Sequence, residues 1–203
     1  MCFSAPISFA TSAALGYVGV KTLKHARPHK RLVALIPFFF AVQQAIEGVQ
    51  WLLERPSTCS QVLGYGFLFF AFLVWPIWIP LSVWYAEHIA WRKRALLVML
   101  GAGMTMSAYL LTVLVYEPLS IVSRAASLSY DVNVPYFLVG ACAYILVTTG
   151  SFMVSSDHRL RMFGMLSMAA AAISWTVFSY AFTSVWCFFA AALSVWLFWW
   201  GKK

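Results

Sequence analysis

Charge is scarce in this chain, and acidic charge is scarcest. Of 203 residues, 10% are Asp, Glu, Lys or Arg, and six of these are acidic. An average globular domain carries about 25% charged residues. No stretch is polar enough to form a soluble domain. Histidine is nearly as rare. His25, His29 and His158 fall between apolar runs and His88 falls at the end of one, so none lies at membrane depth. That argues against bis-histidine haem, histidine-box di-iron chemistry and hydrolysis by a buried histidine-bound zinc. The last apolar run has no interior lysine for a retinal Schiff base. Nucleotide motifs are missing too, so no nucleotide is expected and ATP cannot drive the protein directly. The formal charge of +8 comes with no base-reading face, which argues against nucleic acid as a partner.

What is present is apolar: 63% of the residues, in runs of roughly 20 that each suffice for a bilayer core of about 30 Å. Seven runs are predicted, at about 6–23, 32–53, 62–86, 95–116, 134–154, 160–181 and 183–200. They consume the chain, so residues 1–203 read as one all-α membrane domain of seven transmembrane helices. Basic residues fix the expected orientation. Lys21, Lys24, Arg27, Lys30 and Arg31 follow run one, and Arg92, Lys93 and Arg94 follow run three. Arg159 and Arg161 follow run five, Lys202 and Lys203 follow run seven, and only Arg55 and Arg124 fall in the alternate loops. By the positive-inside rule the N-terminus lies outside and the C-terminus in the cytoplasm of a bacterial inner membrane. Positive charge follows the first run instead of preceding it, so that run is expected to stay as a helix and not act as a cleaved signal, and Cys2 is not expected to be a lipoprotein acylation site.

Glu47 is the informative exception to the apolar pattern. A charge at membrane depth costs several kcal/mol and needs a partner, a cavity or a function. At about 100° per residue, Gln43, Gln44, Glu47, Gln50 and Trp51 fall within an arc of roughly 120°. They form the candidate substrate- or ion-binding stripe. Counting about 1.5 Å per residue puts Glu47 roughly 10 Å below the outer end of its helix, level with Trp186 and Cys187 and near Cys2. Cys2 and Cys187 with Glu47 supply donors for a soft or borderline metal, or for a thiol redox site. Gln43, Gln44 and Glu47 can equally satisfy one another across helices as a purely structural network. A disulfide among Cys2, Cys59 and Cys187 would suit an oxidising compartment, and Cys142 is expected to pack in mid-membrane.

Other features are mainly architectural. Ser4, Ser8, Ser12 and Gly16 recur every four residues, a stripe that lets another helix approach closely. Cys187, Ala190, Ala191 and Ser194 form a second such face. Pro76 and Pro80 predict a kink in run three. The long outer loop, about Glu117 to Asn133, reads as a short interfacial helix that lids an outer cavity. Tyr130, Asp131 and Asn133 stand at its mouth. Glu87, beside Arg92, Lys93 and Arg94, is expected to form an interfacial ion pair.

Runs one to three and five to seven share one order around run four, and a shift of 128 residues aligns His29–Leu32 with Asp157–Leu160. That resembles, in topology alone, the three-plus-one-plus-three plan of sugar-transporting SWEET proteins, without their Pro-Gln signature. The motifs resemble something else. Met1-Cys2-Phe3-Ser4-Ala5, Gln43-Gln44 with Glu47-Gly48 and Trp51, Ser155-Ser156 before Arg159, and Ser184–Ala191 look like a family of small bacterial membrane proteins of unknown function. The resemblance implies the fold and marks Cys2, Gln44, Glu47, Trp51 and Cys187, but supplies no substrate.

Three functions stay open on these residues. The leading one is passive or ion/proton-coupled transport, or a channel, for a small solute or ion through an outer-half pocket around Glu47. The others are a membrane enzyme or thiol/metal redox protein using Cys2 or Cys187, and a sensor or assembly factor with a structural polar network. The expected partners are the lipid bilayer and a small solute or ion, with a homo-oligomer left open.

Overall fold

The computed structural model describes residues 4–54, 56–124 and 127–198. Over these residues the chain forms seven successive helical rods. Helix α1, Ala5–His25, has proline in its first turn and stops where Arg27 turns extended (φ −61°, ψ 154°) ahead of Pro28. The second rod joins a 3-10 turn at Pro28–Lys30 to α2, Arg31–Ala34, and α3, Ile36–Leu52. The third joins α4, Thr58–Leu68, to α5, Trp75–Ala86. Then come α6, Ala90–Tyr116, α7, Phe137–Val154, and α8, His158–Val177. A 3-10 turn at Ser179–Ala181 leads into α9, Phe182–Ser194.

The kink predicted in the third rod takes the form of a π-helical stretch, Phe69–Val74, wedged between α4 and α5. Pro76 has no N–H, and the Trp75 N–H reaches back five residues to the Phe70 carbonyl. Neighbouring helices donate to this stretch: the Ala71 carbonyl, which the Trp75 N–H passes over, accepts from Tyr144 Oη, and the Leu73 carbonyl accepts from Ser107 Oγ at 3.2 Å. Pro80 likewise removes the donor that would bond the Pro76 carbonyl. Helix α6 comes closest there, at Gly103, where a Cβ would stand 1.9 Å from the Pro76 oxygen.

Among the described residues, five rods are long and apolar enough to cross a membrane: Pro28–Leu52, Thr58–Ala86, Ala90–Tyr116, Phe137–Val154 and His158–Val177. This is fewer than the seven expected. The serines, threonines and glycines of α1 dilute its apolarity, and the last rod, Ser179–Ser194, is short. The distribution of polarity suits a membrane protein. Val98, Val139 and Leu146 are 74%, 70% and 61% exposed, while Gln43, Gln44, Glu47 and Gln50 are wholly buried.

The small-residue stripe of α1 lies against α3. Ser12 Oγ donates to Ala41 O at 2.7 Å, and a Cβ on Gly19 would stand 3.0 Å from the Phe38 amide. Gly48 opposite receives the Phe9 ring, 2.8 Å from where its Cβ would be. On α9, Cys187, Ala191 and Ser194 of the second expected face are buried together, and Ala190 is half-buried.

The long loop corrects the expectation of an interfacial helix. It forms an antiparallel hairpin, β1 Ser120–Arg124 with β2 Ser127–Asp131, pairing Ile121 with Tyr130 and Ser123 with Leu128. Ser127-Leu128-Ser129-Tyr130 alternates with the two-residue period of a strand. Gly64 on α4 leaves room for Ile121 and Leu119, and Tyr130 stacks on Phe67 with ring centroids 4.3 Å apart. The hairpin therefore closes one end of the bundle. The other end, where loops Ala26–Lys30, Glu87–Ile89 and Ser155–Asp157 meet, is basic.

Candidate functional site: a buried carboxylate network

The stripe read from the sequence divides in two. Gln43, Gln44 and Glu47 project from α3 into the bundle, where α5 and α9 meet them. Ser184 Oγ donates to Glu47 Oε1 at 2.5 Å, and Gln44 Nε2 to Glu47 Oε2 at 3.3 Å. One turn earlier, Gln43 accepts from the Trp75 indole at 3.0 Å and donates to Cys187 Sγ at 3.6 Å. Each of these polar side chains is buried, so each hydrogen bond stands in for lost hydration.

Gln50 points to a different task. Its amide donates to Ser60 O at 2.7 Å and accepts from Ser60 Oγ at 2.9 Å. Ser60 also donates its backbone N–H to the α4 cap, Ser57 Oγ, at 3.2 Å. Gln50 thus clasps α3 to α4 and stands apart from the carboxylate. Trp51 is half-buried, and its indole nitrogen has no hydrogen-bond partner among the described residues.

Sequence reasoning passed over Ser184 and Trp75. Ser184 was within reach, since it stands three residues before Cys187 and so shares its face on α9. Trp75 carried no signal, because its indole finds Gln43 only through the fold. Cys2 lies outside the described residues. Among those described, no three His, Cys, Asp or Glu side chains come together as a metal-binding group. Cys59, Cys142 and Cys187 are free thiols, and Cys142 is exposed on α7 where packing was expected.

Three cavities border the network, and they reach it through α9. The largest, about 490 Å³, lies under the hairpin, with Tyr130, Asp131 and Asn133 on one wall, Tyr180 on another and Ser184 at its base. A second, about 100 Å³, runs between Ala71, Tyr144 and Cys187, and a third, about 40 Å³, continues past Cys187 toward Thr148 and Thr149. Beyond it Val33, Val83, Leu96 and Leu160 are completely buried and pack the bundle toward the basic end.

The model of DUF6629, a family of unknown function, matches residues 1–203. The chain belongs to that family. No curated protein and no solved structure matches it.

In this DUF6629 member a second buried carboxylate sits at the basic end. Glu87, 3% exposed, was expected to pair with Arg92, Lys93 or Arg94. Its oxygens instead accept from the amides of His88 (2.9 Å), Ile89 (3.0 Å) and Ser156 (2.6 Å), and from Ser156 Oγ at 2.8 Å. Arg92 donates to Val154 O at 2.9 Å and to Ser155 O, and Lys93 lies over the Trp84 ring. Burial pushes the Glu87 carboxyl up, but the Ile89 and Ser156 amides, the Ser156 hydroxyl and the His88 amide outweigh it. The result is a pKa of about 2 against an ordinary 4.5.

Proposed function

We propose that the chain is a multi-pass protein of the bacterial inner membrane, with the hairpin end outside and the basic end in the cytoplasm. It conducts protons, alone or together with a small solute or ion, with Glu47 as the proton-binding group and Gln43 and Gln44 beside it. One observation carries this reading: Ser184 belongs at once to the base of the 490 Å³ cavity and to the hydrogen-bond shell of Glu47. A hydroxyl both donates and accepts, so it can pass a proton between cavity water and a carboxylate. The apolar packing beyond the inner cavity supports a state open toward the hairpin and shut toward the basic end. Intramembrane carboxylates reached from one side are a recurring element of proton relays.

The test is proton flux in liposomes loaded with a pH-sensitive dye, under an imposed potassium diffusion potential. The wild type should relax the pH gradient. Glu47→Gln, which keeps the shape of the side chain, should lose about tenfold or more of that rate while folding survives. Ser184→Ala should lose an intermediate fraction. An unchanged rate in Glu47→Gln would overturn the reading. A second reading, a thiol or metal redox role, draws on the contact of Cys187 with both inner cavities and with Gln43. Mass spectrometry of thiol labelling and metal analysis of the purified protein decide it. An unreactive Cys187 and no bound metal count against it.

A further inference from the structure

The basic end contains a cavity that the carboxylate network does not explain. Its volume is about 330 Å³, and it opens where the loops Ala26–Lys30, Glu87–Ile89 and Ser155–Asp157 converge. Arg27, His29, Lys30 and His88 line it from the first two loops, and Ser155, Ser156 and Asp157 close the third side. The rings of His29 and His88 meet edge-on, with centroids 6.3 Å apart. Two fixed cations and two imidazoles therefore face one space.

Two acidic groups lie nearby, and one of them, Asp157, stands on the cavity wall. Glu87 spends its two oxygens on the four donors already described. Asp157 caps α8 by accepting from the Arg159 amide at 2.9 Å, while its charge faces Lys30. Further cations brace the wall. Arg92 and Arg161 donate to the carbonyls of the Ser155–Ser156 turn, Arg161 at 3.4 Å to both. Those guanidinium groups fix the shape of the turn and leave the cavity open. The N-terminus of the 20-residue helix α8 ends at the same place, which adds the positive end of its dipole.

We propose that this cavity binds a phosphate-bearing anion, with Arg27 and Lys30 as its charged contacts and His29 and His88 as added donors. Arginine, lysine and imidazole grouped at a helix N-terminus suit a phosphate oxygen set. The position suits it as well, since the cavity lies at the ends of spanning rods, and basic pockets between membrane helices take lipid headgroups. Two sources share that chemistry, a phospholipid headgroup and free inorganic phosphate.

The experiment uses the full chain in detergent. Native mass spectrometry after equilibration with mixed micelles compares retention of phosphatidylglycerol with that of phosphatidylcholine. Thermal unfolding with inorganic phosphate, at constant ionic strength, reads the free anion. If the headgroup is the ligand, the anionic lipid is retained about tenfold or more over the zwitterionic one. In the double variant Arg27→Gln, Lys30→Gln the preference disappears. If free phosphate is the ligand, the unfolding midpoint rises with phosphate and the double variant loses the rise. Arg27→Lys with Lys30→Arg keeps the charges and should keep binding, which separates ligand loss from misfolding. Arg94→Gln removes an exposed cation outside the cavity and should change nothing. Neither a lipid preference nor a phosphate-dependent midpoint in the wild type, or an equal loss in Arg94→Gln, overturns the proposal.

Discussion

Glu87 and Glu47 are both buried carboxylates, and their surroundings ask different things of them. At Glu87 four donors, three of them backbone amides, converge on a group that links the loop after α5 to the start of α8. Its folded pKa of about 2 lies below the ordinary 4.5, so the bond network stabilises the fold above about pH 4.5 and loses that contribution as pH falls toward 2. The shift corresponds to at most about 3 kcal/mol, nearer 2 once solvent screening is counted. Glu87→Gln should therefore lower the unfolding midpoint at pH 7 by several degrees, with the difference from wild type shrinking between pH 4.5 and 2. A difference that stays constant across that range would refute a role for the charge. The sequence showed Glu87 next to three cations and suggested an ion pair. It could not show that Ser156, 69 positions away, would fill the site first. Glu47 was legible for the opposite reason, since a carboxylate in an apolar helix stands out whatever its partners.

At the level of elements, proline and glycine placement carried much of what could be read. Pro76 and Pro80 announced a break in the third rod, though not that it would be π-helical or that Tyr144 and Ser107 would donate to carbonyls within it. The contact between Gly103 and Pro76 follows from the same break. A Cβ at Gly103 would meet backbone oxygen at 1.9 Å, and backbone cannot turn aside as a long side chain can. Two effects compete in Gly103→Ala. Helix propensity favours alanine by about 1 kcal/mol, and overpacking against backbone costs about 3 kcal/mol or more. The clash wins, so the variant should lose about 2 kcal/mol in denaturant or thermal unfolding, while Gly101→Ala, with open space around its Cβ, should hold or gain stability. Equal behaviour of the two would contradict the packing described. The hairpin was missed because its strands are five residues each and rich in serine. Ile121 and Val122 are adjacent and break the alternation in β1, which leaves Leu128 and Tyr130 alone to carry a two-residue period.

For the whole molecule, the charge pattern and the fold make a joint statement that neither makes alone. Twelve of the fourteen Lys and Arg residues follow odd-numbered runs, and the loops that hold the described ones among them converge at the end opposite the hairpin. Under the proposed membrane placement, a bundle with exposed apolar and aromatic faces and ends that differ so sharply in charge favours one orientation. Cys59, exposed at the start of α4 on the hairpin side, provides a native probe of it. In intact cells carrying Cys2→Ser, a membrane-impermeant maleimide should label Cys59, with the signal absent when Cys59→Ser is added. A cysteine introduced by Arg94→Cys, in the Cys2→Ser, Cys59→Ser background, should label only after the membrane is permeabilised. The reverse pattern would invert the bundle, and Glu47 would then answer to the cytoplasm through Ser184. The labelling result therefore decides from which side of the membrane a proton would reach Glu47, whatever gradient drives it.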